Sequence, residues 1–399
     1  MRPHAPTPRA AGPVEDRPCI AHLTHSLGQG GVERGILHLV TRIPAERYRQ
    51  LAISLSEPSD LAEAIGADRV VRLEKRPGND LGVIFRLARL LRRERVQLLH
   101  ARGWATLLEG RLAAWLAPGC RMLYAYHGTT YEDLRRPRRR RRLAQRLLLP
   151  HMDALLAVSP SAAQSWLAGV GLPGAQVEVI PDGVPLPTPL GPAARAALRR
   201  GLGLSTGFAI GTVGRLDPVK DHATLLRAFA ALHRNGLPAT LLVIGDGPER
   251  GRLERAAQEA GLSAAVRFLG SRPDAARLLP ALDLFVQSSL SEALPNALLE
   301  ALAAGVPAVA TAVGGTCDVL AEPETGLLVP PRDPDRLAAA MASLLAEPAR
   351  RERQSAAGRR LVRARYSLDA MLRAYEQLYD RLLGGGLTAP ARLVAEGGH

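Results

Sequence analysis

Short apolar runs alternate with longer amphipathic segments along most of this 399-residue chain. From residue 20 onward, strand-like runs such as IAHLTH (20–25) and LAISLS (51–56) flank segments with helical periodicity such as GVERGILHLVTRI (31–43). Apolar strands separated by helices are typical of a parallel sheet covered by helices on both faces. The pattern therefore predicts an α/β fold built from doubly wound sheets.

For one predicted helix, the sequence pattern also indicates which face is buried. In DLGVIFRLARLLRRE (80–94) the apolar positions recur at intervals of three and four residues, which predicts an amphipathic helix. The residues predicted to face the core are Leu81, Ile84, Phe85, Ala88 and Leu91.

A stretch rich in proline and glycine divides the pattern into two halves. VEVIPDGVPLPTPLGP (177–192) interrupts the alternation, and a second alternating series begins at FAIGTVGRL (208–216). Doubly wound sheets bind ligands at the carboxyl ends of their strands, which predicts a cleft between two domains. The predicted organisation is a disordered segment over 1–17, a first Rossmann-like domain over 18–180, a linker over 181–192, a second Rossmann-like domain over 193–365, a helix over 366–383 that packs back on the first domain, and a flexible tail over 384–399.

Composition excludes a mainly disordered protein, because apolar residues make up 47% of the chain. No apolar run reaches the ~18 residues typical of a spanning helix. The N-terminal MRPHAPTPRAAGP lacks the hydrophobic core of a signal peptide, so we expect a cytoplasmic protein. Cys19, Cys120 and Cys317 are isolated and lack metal-site spacing, which favours small buried hydrophobic side chains.

Positive charge is concentrated in one basic segment, which we define as residues 135–142. The formal net charge is +14, and seven of these eight residues are arginine, from Arg135 to Arg142. The segment is consistent with a solvated helical face, with an anionic membrane surface or with nucleic acid. No aromatic-studded strand, zinc spacing or helix-turn-helix accompanies it, so the inner-membrane surface is favoured and nucleic acid is not expected as a partner.

The most informative stretch is FVQSSLSEALPNALLEALAAGVPAVAT (285–311), which reads as strand, loop, helix, turn and strand. Glu292 and Glu300 stand eight residues apart in it, and Pro295 suits a first helical turn. A helix that begins at the carboxyl end of a buried strand offers unpaired N–H groups and a positive dipole end to phosphate. The alternative is that both glutamates are ordinary solvated residues.

The string SEALPNALLEALAAGVPAVAT resembles the E-x7-E segment of the retaining GT-B glycosyltransferases of the family 4 type, also called glycosyl transferases group 1. This resemblance implies that Glu300 holds the donor ribose hydroxyls and that Glu292 lies near the transferred sugar, with a catalytic role. It also implies that backbone N–H groups around Leu294, Pro295 and Asn296 meet the diphosphate.

Other motifs extend the resemblance to both halves of the chain. GGVER, with Gly30 and Gly31, resembles the family's glycine-rich loop, through which backbone N–H groups approach the donor phosphate. In VGRLDPVKD (213–221), Arg215 and Lys220 match residues that bind the diphosphate, where they would neutralise charge on the leaving group. The alternative for these two cations is local pairing with nearby aspartates.

Strand ends supply the remaining candidates. Asp246 lies in a GDG turn that the family shows near the nucleotide, although it is equally consistent with a helix cap. Arg272 is a candidate for the base pocket, and His127 resembles the histidine beside the transferred sugar, where a structural role is the alternative. Three further strand-end residues are acceptor-side candidates, with ordinary loop packing as the alternative: His25, His100 and Arg102.

Together these motifs imply a retaining hexosyltransferase. Its donor would be a nucleotide diphosphate sugar such as a UDP- or GDP-sugar, and its acceptor a saccharide or a polyprenyl-diphosphate-linked saccharide. The resemblance implies a metal-independent reaction with no cofactor. KRPGNDLG, HARG and HGT further resemble transferases of bacterial exopolysaccharide systems, whereas Asp182 stands where the family often has Asn. A sugar-nucleotide epimerase of the same fold and an Arg-rich nucleic-acid-binding protein are the alternatives.

Overall fold

The computed structural model describes residues 17–28, 30–56, 61–76, 80–128, 139–204 and 206–384. Within these residues the chain forms two separate parallel sheets, one before and one after the predicted linker over 181–192. Apart from Arg17 and Gly384, the segment predicted to be disordered and the predicted tail lie outside the described residues, as does the 135–138 part of the basic segment.

The first sheet has seven strands in the described part of the chain, ordered β3-β2-β1-β4-β5-β6-β7. These strands are β1 (Cys19–Thr24), β2 (Arg49–Ser54), β3 (Val70–Arg72), β4 (Val96–Arg102), β5 (Arg121–Tyr126), β6 (Ala154–Ala157) and β7 (Glu178–Val179). All neighbouring strands are parallel. The order winds outward from β1 and β4 in both directions, which is the doubly wound arrangement.

Helices cover both faces of this sheet. They are α1 (Gly31–Arg42), α2 (Leu61–Ile65), α3 (Gly82–Arg93), α4 (Leu107–Trp115), α5 (Arg139–Leu148) and α6 (Pro160–Val170). Helix α3 packs on α4 and α4 packs on α5, so these three share one face. Right-handed crossovers place α1 on the opposite face, because β1 and β2 wind in the other direction.

The second sheet has six strands among the described residues, ordered β10-β9-β8-β11-β12-β13. These strands are β8 (Phe208–Val213), β9 (Ala239–Ile244), β10 (Val266–Gly270), β11 (Leu284–Gln287), β12 (Ala308–Thr311) and β13 (Leu327–Val329). The associated helices are α7 (Pro192–Gly201), α8 (His222–Arg234), α9 (Arg250–Glu259), α10 (Ala275–Leu278), α11 (Asn296–Ala303), α12 (Gly315–Val319), α13 (Pro334–Ala346) and α14 (Pro348–Leu361).

The last helix, α15 (Leu368–Leu383), returns to the first domain and completes its core. On the way, Val184 N–H donates to Tyr366 C=O at 2.8 Å, and Leu368 N–H donates to Val184 C=O at 3.1 Å. The chain therefore passes between the domains twice, and hydrogen bonds join the two passages. Gly183 lies at this junction, where a Cβ would come within 2.7 Å of Leu368 Cα.

The buried face assigned to α3 was partly wrong. Leu81 precedes the helix and Phe85 lies on it, and both side chains are exposed. The side that meets the core is formed by Val83, Ile84, Leu87, Ala88, Leu90 and Leu91. This helix carries apolar residues on most of its circumference, so its arginines, rather than its apolar residues, mark the solvent side.

Candidate active site

The carboxyl ends of both sheets face each other across a narrow interdomain gap. A Cβ on Gly31, at the start of α1, would lie 2.7 Å from Asn296 Nδ2 on α11. A Cβ on Gly128, after β5, would lie 2.9 Å from Ala293 Cβ, and Gly128 also has φ +108°. The two domains therefore approach at positions where any larger side chain would collide.

The loop between β11 and α11 is held from both sides. Ser288 Oγ donates to Lys220 C=O at 3.0 Å, and Gly315 N–H donates to Glu292 C=O at 3.0 Å. Gly314 has φ +44°, and a Cβ there would lie 2.1 Å from Glu292 C=O. Gly314 and Gly315 were not among the predicted site residues, although their Gly-Gly pair, separated from β12 by two residues, was the available signal.

The start of α11 differs in detail from the prediction. Pro295 is the N-cap with φ −84° and ψ 78°, so the helix begins one residue later, at Asn296. The Asn296 N–H donates to Leu294 C=O at 3.1 Å, and proline has no N–H. The unpaired N–H groups of the first helical turn therefore belong to the residues that follow, Ala297 and Leu298.

Lys220 and Glu292 form an ion pair inside the site. Lys220 Nζ lies 2.6 Å from Glu292 Oε1, and Ser289 Oγ donates to the same oxygen at 2.6 Å. Glu292 is nearly buried, with 8% of its side chain exposed. The partner of Lys220 is thus 72 residues away in sequence, which rules out the alternative of a purely local pair with an aspartate.

Arg215 lies on the loop that follows β8, as does Lys220. Its side chain is 74% exposed, and its Nε lies 3.7 Å from Asp217 Oδ2, the local aspartate considered above. An exposed pair of this kind contributes little stability. The guanidinium can therefore leave Asp217 for a diphosphate at little cost.

Two glycine turns bring the loops after β8 and β9 together. Gly245 has φ +143°, and a Cβ there would lie 1.9 Å from Gly214 C=O. Asp246, between the two glycines of the GDG turn, accepts hydrogen bonds from Gly247 N–H and from Arg250 Nη1, both at 2.7 Å. These bonds lower the pKa of Asp246, with the Arg250 hydrogen bond as the main cause.

Glu300 is the second nearly buried glutamate of the site. It projects from α11 with 10% of its side chain exposed, and its Oε1 lies 3.2 Å from Nη1 of Arg34 on α1 of the first domain. Burial raises the pKa of Glu300, whereas the charge and hydrogen bond of Arg34 lower it. Arg34 was not among the predicted site residues, although it is the last residue of the GGVER string.

His127 follows β5 and is enclosed, with 9% of its side chain exposed. Neither ring nitrogen has a hydrogen-bond partner in the described part of the chain. Its Nδ1 lies 3.9 Å from Asp182 Oδ1, and Asp182 Oδ2 accepts a hydrogen bond from Asn296 Nδ2 at 3.2 Å. Burial lowers the pKa of His127 to about 4, while Asp182 raises it and Arg102 lowers it.

The acceptor-side prediction was wrong for His100 and Arg102. Both side chains are buried beneath α15, where His100 Nδ1 lies 2.9 Å from the Tyr379 hydroxyl. Arg102 donates to His100 Nδ1 and to His22 Nδ1, each at 3.1 Å. The positions at the end of β4 are therefore part of the core that α15 closes.

The remaining candidates are exposed. His25 lies at the surface after β1. Arg272 forms a two-point ion pair with Asp274, with both nitrogen–oxygen distances at 2.8 Å.

Among the described residues, His, Cys, Asp and Glu side chains do not gather in the groups of three or more that a metal site needs. The helices in the described part of the chain are all too short or too polar to span a bilayer.

Two Rossmann-like domains that face each other across a cleft, with the candidate site at their strand ends, form the GT-B fold. The chain belongs to the glycosyltransferases: residues 29–187 match the family described as Glycosyltransferase Family 4, and residues 195–361 match Glycosyl transferases group 1.

Relatives and solved structures agree with this assignment. The chain is 30% identical over 395 residues to 2-deoxystreptamine N-acetyl-D-glucosaminyltransferase of Streptomyces fradiae, covering 92% of this chain and 89% of the relative. It is 37% identical over 193 residues to the lipopolysaccharide core biosynthesis glycosyltransferase LpsD of Rhizobium meliloti, covering 48% of this chain and only 54% of that protein. Anabaena HepE in complex with UDP and glucose superposes with a TM-score of 0.80 at 20% identity, covering 91% and 100% of the two chains.

Proposed function

We propose that the protein transfers a hexose from a nucleotide diphosphate sugar to a saccharide or lipid-linked saccharide, with retention of anomeric configuration. The observation that carries the proposal is the placement of Glu292 and Glu300 on either side of the α11 start. One carboxylate is paired with Lys220 and the other with Arg34, and both are nearly buried. Buried carboxylates need hydrogen-bond donors, which the hydroxyls of a nucleotide sugar supply, and the N–H groups of the helix start favour its phosphates.

The donor would bind mainly to the second domain. Its ribose hydroxyls would replace Arg34 as the partners of Glu300, because a carboxylate accepts two hydrogen bonds from a vicinal diol. Its diphosphate would lie at the N-terminus of α11, where the helix dipole and unpaired N–H groups favour negative charge. Arg215 and Lys220 would approach the same phosphates from the β8–α8 loop.

The chemistry would centre on the leaving diphosphate. As the bond between the anomeric carbon and the phosphate oxygen breaks, Arg215 and Lys220 would stabilise the charge that develops on that oxygen. In a front-face reaction the acceptor hydroxyl attacks from the same side, and its proton passes to the departing phosphate oxygen. Glu292, held by Lys220 and Ser289, would orient the sugar. Closure of the domains would exclude water as a competing acceptor.

The acceptor would approach from the first domain, at the cytoplasmic face of a membrane. The described part of the basic segment begins α5, on which no side chain is buried. Leu143 and Leu147 project one helical turn apart and are 59% and 61% exposed. A helix that combines exposed leucines with arginines suits the interface of an anionic bilayer. This surface supports a polyprenyl-diphosphate-linked acceptor and a role in exopolysaccharide or other cell-surface glycan synthesis.

The test of donor binding is a thermal-shift screen against UDP, GDP and ADP and their sugar conjugates. We expect one base to raise the melting temperature, because a ligand that binds only the folded state stabilises it. Glu300→Gln and Lys220→Met should each weaken that effect. Lys75→Met is the matched control, since Lys75 is the only other lysine and forms an equivalent 2.6 Å ion pair with Glu109. Shifts that survive both site substitutions would place the donor elsewhere.

A second assay separates transfer from epimerisation. A transferase releases nucleoside diphosphate in proportion to added acceptor, whereas an epimerase converts the donor sugar without any acceptor. We expect acceptor-dependent release. Conversion of the donor alone, with no nucleoside diphosphate formed, would favour the epimerase.

A further inference from the structure

His127, Asp182 and Asn296 connect three separate parts of the chain. His127 follows β5 in the first domain, Asp182 lies between the domains, and Asn296 is the first residue of α11 in the second domain. Asn296 Nδ2 donates to one carboxylate oxygen of Asp182 at 3.2 Å. The other carboxylate oxygen faces His127 Nδ1 at 3.9 Å. The carboxylate is therefore oriented by the donor domain and directed at the imidazole of the first domain.

The imidazole itself is unsatisfied. Its two nitrogens are buried without a hydrogen-bond partner among the described residues, which is a costly state for a polar ring. The charged groups that act on it are Asp182 from the interdomain segment and Arg102 from β4. Both the burial and Arg102 disfavour an imidazolium, so the ring is neutral near pH 7 and carries one N–H.

We propose that Asp182 is a positioning residue that selects the tautomer of His127. A carboxylate only accepts hydrogen bonds, so the nitrogen facing it must carry the proton. Movement of about 1 Å would bring the 3.9 Å separation into hydrogen-bond range. Nδ1 is then the donor, and Nε2, on the opposite edge of the ring, becomes an acceptor. Resting on the proposed function, this acceptor is assigned to a hydroxyl of the transferred sugar.

Aspartate and asparagine differ sharply at this position. An asparagine has one acceptor and one donor end, so it can present an N–H to His127 and favour the opposite tautomer. Aspartate can present only an acceptor to His127, because both of its carboxylate oxygens accept hydrogen bonds. Asn296 must then present its amide N–H to Asp182, which fixes the Asn296 side chain as well. The aspartate at position 182 thereby determines which hydrogen-bonding group His127 offers.

The tautomer can be measured directly on the enzyme without substrate. Long-range ¹⁵N–¹H correlation NMR distinguishes protonated from unprotonated ring nitrogens, and His127→Gln assigns the signal. In the wild type we expect a neutral ring with the proton on Nδ1. In Asp182→Ala we expect the proton to shift toward Nε2. A wild-type ring protonated on Nε2, or a tautomer unchanged in Asp182→Ala, would overturn the proposal even if the enzyme transfers sugar normally.

Kinetics test the assignment to the sugar. Asp182→Asn should lower kcat/KM by roughly tenfold, the order expected for one misdirected hydrogen bond. Affinity for the nucleoside diphosphate alone should not change, because that ligand lacks the sugar. Asp335→Asn, on the distant helix α13, is the matched control. Equal losses of nucleotide affinity and kcat/KM would indicate a merely structural role and overturn the assignment, whereas failure of all transfer in the wild type would leave the NMR result to decide the tautomer.

Discussion

Glu300 has two alternative partners in the proposed cycle, Arg34 before donor binding and the ribose hydroxyls afterwards. Burial raises its pKa, so on acidification it becomes protonated at a higher pH than an ordinary glutamate. Only the ionised carboxylate accepts hydrogen bonds from both hydroxyls. The affinity for the donor should therefore be greatest above this raised pKa and should fall as the pH drops through it.

This dependence can be measured by calorimetry with a nucleotide sugar, whose diphosphate does not itself titrate near neutral pH. The Glu300→Gln variant should bind the nucleotide sugar more weakly at neutral pH, and its affinity should depend much less on pH. Arg34→Ala should move the fall in affinity to higher pH, because Arg34 lowers the pKa of Glu300. Parallel profiles for the wild type and Glu300→Gln would contradict this assignment of the titrating group.

For single residues, the sequence identifies those that belong to a motif but not the residues with which they pair. Glu292 and Glu300 stand out because a local string contains them both, whereas Arg34 lies 266 residues from Glu300. Nothing in a linear pattern indicates such a distant pair. Arg102 illustrates the opposite error, since its position at a strand end predicted a cleft residue. It is instead covered by α15, a helix from the far end of the chain.

The turns after β8 and β9 depend on glycine for both space and backbone angle. Gly245→Ala would place a Cβ 1.9 Å from Gly214 C=O at a φ of +143°. Gly236→Ala is the matched control, because Gly236 has φ +76° with no atom within 4 Å of the added Cβ. We expect the free energy of unfolding to fall by about 1 kcal/mol in Gly236→Ala and by clearly more in Gly245→Ala. Chemical denaturation measures both values. Equal losses would show that the backbone around Gly245 moves to accommodate the added Cβ without further cost.

We predict that the arginines of helix α5 bind the protein to anionic membranes. Replacing Arg140 and Arg142 with serine should reduce binding to anionic vesicles, since each basic residue near such a surface contributes about 1 kcal/mol. The matched control replaces Arg353 and Arg360, two exposed arginines on α14 of the second domain. Co-sedimentation should fall only for the α5 variant and should weaken with added salt. Salt-insensitive binding, or an equal loss in the control, would exclude an electrostatic role for α5.

The hydrophobic periodicity predicted whether a segment is a helix or a strand more readily than it predicted which face of that segment is buried. The strands and helices alternate as predicted because each apolar run needs a covered face. The phase of α3 was harder to predict, because its leucines, isoleucine and phenylalanine surround most of the helix. Tertiary packing decides which of them meets the sheet, and Phe85 is left outward. The N-terminus of α11 likewise shifted by one residue, since proline can occupy either the cap or the first turn.

For the whole molecule, buried histidines predict instability in acid. Burial lowers the pKa of His22 to about 3 and of His127 and His222 to about 4. The unfolded chain binds protons at these positions below about pH 6.5, whereas the folded chain does not. The stability contributed by each neutral histidine is therefore present above pH 6.5 and is lost as the pH falls toward 4.

A pair of histidines on α8 tests this linkage. His222 is buried and His233, eleven residues later, is exposed. His222→Gln should flatten the loss of unfolding free energy between pH 6.5 and 4 by about 1.4 kcal/mol per pH unit at most. His233→Gln, at an exposed position of the same helix, is the matched control. If both variants lose stability as steeply as the wild type, other groups control acid unfolding.

The double passage between the domains determines how the chain can be divided. The first domain is not a continuous stretch of sequence, because its core includes Tyr375 and Tyr379 from the last helix. A fragment cut after the linker would expose His100, Arg102 and the apolar surface that α15 covers. An exchange of donor domains between related enzymes must therefore keep α15 with the acceptor half. Such a chimera has two junctions, one near Val184 and one near Ser367, where the passages already lie side by side.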